Sequence, residues 1–100
     1  MTIGVVYDTS AKKLREAKKI IHESIKKSEH ADEEATDIWF DNFGAYSLDI
    51  NIIYYAKDLK MDNWKERITM KEDVNFLIKE GFEKAKIEMA FPTQTIEVKK

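Results

Sequence analysis

A chain of 100 residues, 43% of them hydrophobic, has the size and composition of one small folded domain. Its net charge of −2 gives no overall bias towards nucleic acid or anionic membranes. The absence of cysteine excludes a disulfide framework and thiolate metal sites, and no apolar run approaches the length that crosses a bilayer.

The first predicted elements are a strand and a helix. Residues 3–7 are apolar and rich in β-branched side chains, which predicts a strand that is buried on both faces and internal to a sheet. Asp8, Thr9 and Ser10 are candidate N-caps for a helix over residues 11–28. The helical spacing predicts a buried stripe of Leu14, Ala17, Ile21, Ser24 and Ile25. The other face is basic, since residues 11–28 hold seven Lys or Arg and two Glu.

Residues 36–57 are predicted to form a hairpin. Leu48, Ile50, Ile52 and Tyr54 alternate with more polar residues and are expected to face the core. Gly44 lies in the reversal, where a positive φ is expected.

The side chains of the first strand of this hairpin are expected to alternate between the two faces of the sheet. Ile38 and Phe40 are predicted to face the core and Trp39 the other side, with a possible bulge near Asn42 that would change the phase. The preceding residues 29–36 are predicted to form an acidic loop.

A second helix is predicted after a connector at residues 58–62. Asp62 or Asn63 can cap it, and it extends to about Lys86. Its expected core-facing residues are Ile68, Val74, Leu77, Ile78, Gly81, Phe82 and Ala85, and Trp64 is expected to pack as well. Gly81 predicts a close backbone approach to a neighbouring element. A last strand is expected over residues 95–98, after Pro92.

The order strand, helix, strand, strand, helix, strand predicts an α+β fold. The expected architecture is ferredoxin-like βαββαβ, with a four-stranded antiparallel sheet and two helices on one face. The chain is predicted to be a single domain over residues 1–100.

The sequence contains no recognisable catalytic or phosphate-binding motif. No serine has a partner histidine at a recognisable spacing, and the three glycines are too far apart for a phosphate loop. His22 is interpreted as a helix-flank residue. His30 with Asp32, Glu33 and Glu34 is interpreted as a solvated acidic turn, since it lacks the ligand spacing and glycine of a calcium loop. We expect no enzyme activity, cofactor or metal.

The sheet face away from the helices indicates a binding function. Trp39, Ile53 and Tyr55 are expected to share this face, and three such residues on an open sheet indicate a covered surface in an assembly, unless a loop folds over them. RNA binding is disfavoured because Asp49 lies on this face, the aromatic pair of an RNA-recognition sheet is missing and the basic residues lie on the helix side.

Four segments of the sequence, in order, carry a family resemblance. They are Ile3-Gly4-Val5-Val6-Tyr7-Asp8-Thr9 with the following Lys13–Ala17, the turn Phe43-Gly44-Ala45-Tyr46-Ser47-Leu48, the helix Val74–Ile87, and Ile87-Glu88-Met89-Ala90-Phe91-Pro92-Thr93-Gln94-Thr95-Ile96. Together they resemble the C-terminal cytoplasmic α/β domain of small-conductance mechanosensitive channels, the MscS family. The turn departs from the family's usual Phe-Gly-Asp-Ser-Ser-Leu at Ala45 and Tyr46. The closing segment has Ala90 in place of a proline and Thr93 inserted before Gln94.

The resemblance implies a piece of a homo-oligomeric channel, usually a heptamer, that opens under bilayer tension. The transmembrane helices and pore of such a channel lie N-terminal to this domain. The domain itself would lie on the cytoplasmic side of the inner membrane, where it would shape a solute-permeable cage and join identical subunits. Trp39, Ile53 and Tyr55 are our own candidates for subunit contact, whereas no catalytic or pore residue transfers. The alternative is a stand-alone ferredoxin-like regulatory or interaction module.

Overall fold

The computed structural model describes residues 1–57 and 64–90. The elements within them are β1 (Thr2–Val5), α1 (Ala11–Lys27), a 3₁₀ turn (Glu33–Ala35), β2 (Asp37–Phe43), β3 (Leu48–Ile53) and α2 (Trp64–Ala85). The predicted connector 58–62, the candidate caps Asp62 and Asn63, Pro92 and the last strand at 95–98 lie outside the described residues.

The three described strands form an antiparallel sheet in the order β1-β3-β2. Thr2 pairs with Asn51 at one end of the β1–β3 ladder and Val5 pairs with Leu48 at the other. Since both outer strands are antiparallel to β3, they are parallel to each other, and α1 connects them. The α+β class is therefore confirmed, and the ferredoxin-like topology with its fourth strand stays a prediction.

β1 has a partner on its second edge as well. The Val6 amide donates to the Glu88 carbonyl at 3.1 Å, the Ala90 amide donates to the Gly4 carbonyl at 3.0 Å, and a bridge joins Val5 to Met89. These contacts lie on the edge where the predicted fourth strand would pair, so the internal position of β1 stays a prediction together with that strand. Burial on both faces was wrong, because Thr2 and Gly4 alternate onto the face that the helices do not cover and stay partly or fully exposed.

Both helices pack on the other face of the sheet around one core. Leu48, Ile50 and Ile52 of β3 are fully buried there, and the half-buried Tyr54 packs against the same core. The buried residues of α1 are those predicted, namely Leu14, Ala17, Ile21, Ser24 and Ile25. Ser10 is the N-cap, and its hydroxyl oxygen accepts a hydrogen bond from the Lys13 amide at 3.1 Å.

α2 differs from the prediction in its first half. It buries Met70, Val74, Ile78 and Phe82, whereas Ile68 and Trp64 are exposed. Apolar residues fall on two sides of this helix, so that periodicity alone chooses the wrong side for its first turns. The packing role expected for Trp64 was wrong for the same reason.

α2 ends at Ala85, one residue before the predicted end. Lys86 adopts a left-handed conformation with a φ of 60°, and the Ile87 amide donates to the Phe82 carbonyl at 2.9 Å. This is the Schellman arrangement that closes a helix, although a glycine usually holds the left-handed position.

At two glycine positions a Cβ atom would lie very close to neighbouring side chains. A Cβ on Gly81 would lie 2.5 Å from the Cγ2 atom of Ile20, which confirms the predicted close approach and identifies α1 as the neighbour. Gly44 does not have the positive φ that we expected. The reversal uses four residues, 44–47, and a Cβ on Gly44 would lie 2.7 Å from the Asp49 carboxylate and 3.1 Å from the Ser47 carbonyl oxygen, so that a larger residue would require both groups to shift.

Candidate functional site: the open face of the sheet

Trp39 lies on the sheet face opposite the helices, as predicted. It pairs with Asn51 of β3, whereas its neighbour Ile38 pairs with the buried Ile52. The side chain is 37% exposed, and its indole Nε1 donates to Asp41 Oδ1 at 2.9 Å. This hydrogen bond between residues i and i+2 holds the ring beside a carboxylate.

Ile53 lies on the same face at the end of β3. It pairs with Asp37 and is 42% exposed. Because Ile53 is two residues beyond Asn51, the direct partner of Trp39, it is the diagonal neighbour of Trp39, at roughly 7–8 Å between Cα atoms. The structure therefore brings these two predicted residues together.

Tyr55 lies beyond the paired part of the sheet. β3 ends at Ile53, and the Tyr55 carbonyl accepts a hydrogen bond from the Asp32 amide at 2.8 Å beside a bridge between Ala31 and Ala56. Its side chain is 56% exposed. Tyr55 is thus accessible, although it extends the surface past the strand end and does not lie within the paired region.

A bulge in β2 changes the surface near the hairpin tip. Phe40 pairs with Ile50 and Asn42 pairs with Asp49, so that Asp41 is the extra residue and the predicted irregularity near Asn42 is confirmed. Ile38 packs against the core as expected. Phe40 shares that face at the sheet edge but is one third exposed, because β2 is the outer strand.

Exposed aromatic side chains gather at this tip, and the sequence prediction missed them. The rings of Phe40 and Phe43 are 5.2 Å apart at 71°, an edge-to-face contact, and Phe43 is 72% exposed. Tyr46 is also exposed, and the Tyr7 hydroxyl donates to the Gly44 carbonyl. The sequence signal that could have indicated them is the irregularity predicted near Asn42, since regular alternation of the side chains ends after Phe40.

The open face is acidic. Asp37 and Asp41 lie on either side of Trp39 in β2, and Asp49 accepts a hydrogen bond from the Ser47 hydroxyl at 2.5 Å. No lysine or arginine occurs between residues 28 and 56. That stretch contains the carboxylates Glu29, Asp32, Glu33, Glu34, Asp37, Asp41 and Asp49. A partner that covers this face must therefore tolerate or neutralise negative charge.

The two histidines do not assemble a metal site in the described ranges. His22 Nε2 lies 3.6 Å from Glu33 Oε2 on the exposed flank of α1, as interpreted from the sequence. Asp32 Oδ1 accepts from the Glu34 amide at 3.1 Å and so caps the 3₁₀ turn. Among residues 1–57 and 64–90 no group of three or more His, Cys, Asp or Glu side chains could hold an ion.

Most of this chain matches one known protein family. The family described as "Mechanosensitive ion channel MscS, C-terminal" matches residues 1–89. The chain belongs to the MscS family. The resemblance inferred from the four sequence segments is thereby confirmed.

Relatives match this MscS-family domain over nearly all of its length. The "Large-conductance mechanosensitive channel MscMJLR" of Methanocaldococcus jannaschii is 36% identical over 99 residues, which are 99% of this chain and 27% of the relative. The "Small-conductance mechanosensitive channel MscMJ" of the same organism is 36% identical over 100 residues, again 27% of its length. An "Uncharacterized MscS family protein" of Aquifex aeolicus is 37% identical over 98% of this chain and 26% of its own length.

The MscS-family domain thus spans about a quarter of the length of the relatives it matches. Neither of its two described α-helices combines the length and the apolar composition that membrane crossing requires. The functions carried by the remaining three quarters of those relatives are outside this chain.

Proposed function

We propose that this chain forms part of the cytoplasmic vestibule of a tension-gated mechanosensitive ion channel. The observation that carries the proposal is the match along the whole chain to two proteins named as mechanosensitive channels, of which it makes up 27% each. In the full-length protein, tension sensing and conduction belong to the other segments. This domain shapes the solute-permeable cage and helps to join subunits, and it is neither an enzyme nor a cofactor-binding protein.

Subunit contact is the role that we assign to Trp39, Ile53 and Tyr55. Support comes from their exposure and from the diagonal placement of Trp39 and Ile53 on a sheet face that lies away from both helices. Burying such apolar side chains contributes about 25 cal/mol per Å² of apolar surface, which favours association with identical subunits. The full-length assembly is a homo-oligomer, a heptamer in the family pattern, and no nucleic acid is involved.

The ferredoxin-like topology is part of the same proposal. The bridge between Val5 and Met89 supports a fourth strand on the second edge of β1. Such a strand would leave β2 as an outer strand, so that the hairpin and its open face lie at the side of the domain where a neighbouring subunit can approach.

Cell fractionation with an antibody to this domain tests the proposal. We expect a band well above the 11.7 kDa of this chain, in the inner-membrane fraction, that is protected from external protease in intact cells and cleaved after lysis. A soluble band near 12 kDa would contradict the channel function and favour the stand-alone interaction module.

A further inference from the structure

The outward face of α1 carries a basic stripe in which four cations are interspersed with Glu16 and Glu23. Lys12, Arg15, Lys19 and Lys26 recur at helical spacing and are all exposed. In the described part of the chain none of them lies within ion-pair distance of a carboxylate. At 1.5 Å per residue the stripe is about 21 Å long. With Glu16 and Glu23 included, this face still has an excess of positive charge that is available to an acidic partner.

The stripe and the acidic open face lie on opposite sides of the molecule. The inward residues of α1, such as Ile21, share one core with Ile50 and Ile52 of β3. The basic stripe therefore faces away from the sheet, whereas Asp37, Trp39 and Asp41 face away from the helices.

This arrangement determines which self-association is electrostatically favourable. A two-fold contact places the same patch of each copy against itself, which would oppose like charges on either face. A head-to-tail contact places the basic stripe of one copy on the acidic face of the next. Because each copy then uses both surfaces, such contacts generate a closed ring when the rotation between copies permits closure.

We infer that the basic stripe of α1 docks on the Asp37–Trp39–Asp41 strip of a second copy of this chain in the full-length protein. Arg15 stacks on the Trp39 indole, and Lys12 and Lys19 reach the two aspartates. The backbone spacing fits this placement, since Lys12 and Lys19 are about 10 Å apart along the helix and Asp37 and Asp41 about 13 Å apart along the strand. This inference rests on the proposed function, because it supplies the second half of the subunit contact assigned to Trp39.

Chemical cross-linking of the full-length protein in membranes tests the contact. Glu16→Cys flanks Arg15 on α1, and Asn51→Cys pairs with Trp39 on the open face. With a short bis-maleimide we expect the double variant to form a ladder of dimers, trimers and larger species, because every copy carries both halves of the contact. Each single variant should give no ladder, which controls for cysteines elsewhere in the protein.

Charge reversal then tests the specificity of the contact. In the double-cysteine background, Lys12→Glu with Lys19→Glu should lower the cross-linked yield by at least about tenfold, since like charges now meet at the interface. Adding Asp37→Lys and Asp41→Lys should restore the yield. The matched control is Lys71→Glu with Lys79→Glu on the exposed face of α2, which should leave the yield unchanged.

The outcomes separate this contact from the channel function. A tension-gated current without a ladder, or with dimers alone, would overturn the contact and leave the function standing. A ladder without a current would support the contact and contradict the function. A ladder that is insensitive to charge reversal would also overturn the inference.

Discussion

Lys86 closes α2 in a conformation that side chains disfavour. Its φ of 60° lies in the left-handed region, which costs about 1–2 kcal/mol for a residue with a Cβ. Lys86→Gly should therefore raise the free energy of unfolding, by about 0.5–1 kcal/mol after the greater freedom of glycine in the unfolded chain is included. Urea denaturation measures the change.

Lys86→Ala is the matched control, because alanine also lacks the lysine amine but retains the Cβ. We expect its stability to stay within about 0.5 kcal/mol of the original chain. Equal stabilisation by glycine and alanine would show that the lysine charge, and not the backbone conformation, is unfavourable at this position.

Tyr54 makes the free energy of unfolding depend on pH in the alkaline range. Desolvation by burial raises the pKa of its hydroxyl above the ordinary value of 10.0. The folded protein thus holds the proton more tightly than the unfolded chain, and this stabilisation is complete below the unfolded value and lost as the pH rises through the folded pKa. In urea denaturation between about pH 8 and pH 11, the stability advantage of the original chain over Tyr54→Phe should fall above about pH 10. Parallel profiles of the two proteins would contradict this prediction.

The contact between the two helices depends on Gly81. Alanine has the better helix propensity by about 1 kcal/mol, yet its Cβ would lie 2.5 Å from Ile20 Cγ2. Ile20 is β-branched and stiff at χ1, so that the clash must move the helices apart. We predict that Gly81→Ala destabilises the protein by about 1 kcal/mol despite its propensity.

The same substitution should change sign when Ile20 is shortened. In an Ile20→Ala background the obstructing methyl group is absent, so that Gly81→Ala should stabilise by up to about 1 kcal/mol. The double-mutant cycle by urea denaturation gives the coupling energy directly. Additive effects of the two substitutions would show that this helix contact is not as close as the structure has it.

The elements that were predicted correctly are those in which apolar and polar positions separate cleanly. In α1 the buried stripe has one side and a Ser10 cap, and in β3 the alternation from Leu48 to Ile52 is uninterrupted. α2 carries apolar side chains on two sides, including the exposed Phe76, and this ambiguity produced the errors at Trp64 and Ile68. The φ of Gly44 depended on a turn length that local sequence does not specify.

The candidate surface was predicted in part. Strand alternation placed Trp39 and Ile53 on one face, since a period of two fixes the side of each residue. It did not predict that β3 ends at Ile53, which places Tyr55 beyond the ladder, because a long-range bridge between Ala31 and Ala56 determines the path there. The same alternation places Asp37 and Asp41 beside Trp39, but the prediction did not include them. The bulge at Asp41 and the hydrogen bond from the Trp39 indole to its carboxylate depend on the fold.

The domain has two layers, and its two outer sides carry opposite charge. The helix side carries the basic stripe of α1, and the open sheet side carries carboxylates around Trp39. Exposed ion pairs contribute only about 0.2–1 kcal/mol each, so such a contact is weak for an isolated domain and effective when other segments hold the subunits close. The proposed cage role requires this behaviour, since other segments of the full-length protein would then hold the subunits together.

The most direct measurement of the channel function is a patch-clamp recording from the full-length protein. It would be expressed in cells that lack their own mechanosensitive channels, and suction would be applied to excised patches. We predict discrete currents that appear above a threshold of membrane tension and are absent from cells that carry an empty vector. Full-length protein that is present in the membrane but gives no current at any tension up to patch rupture would contradict the channel function.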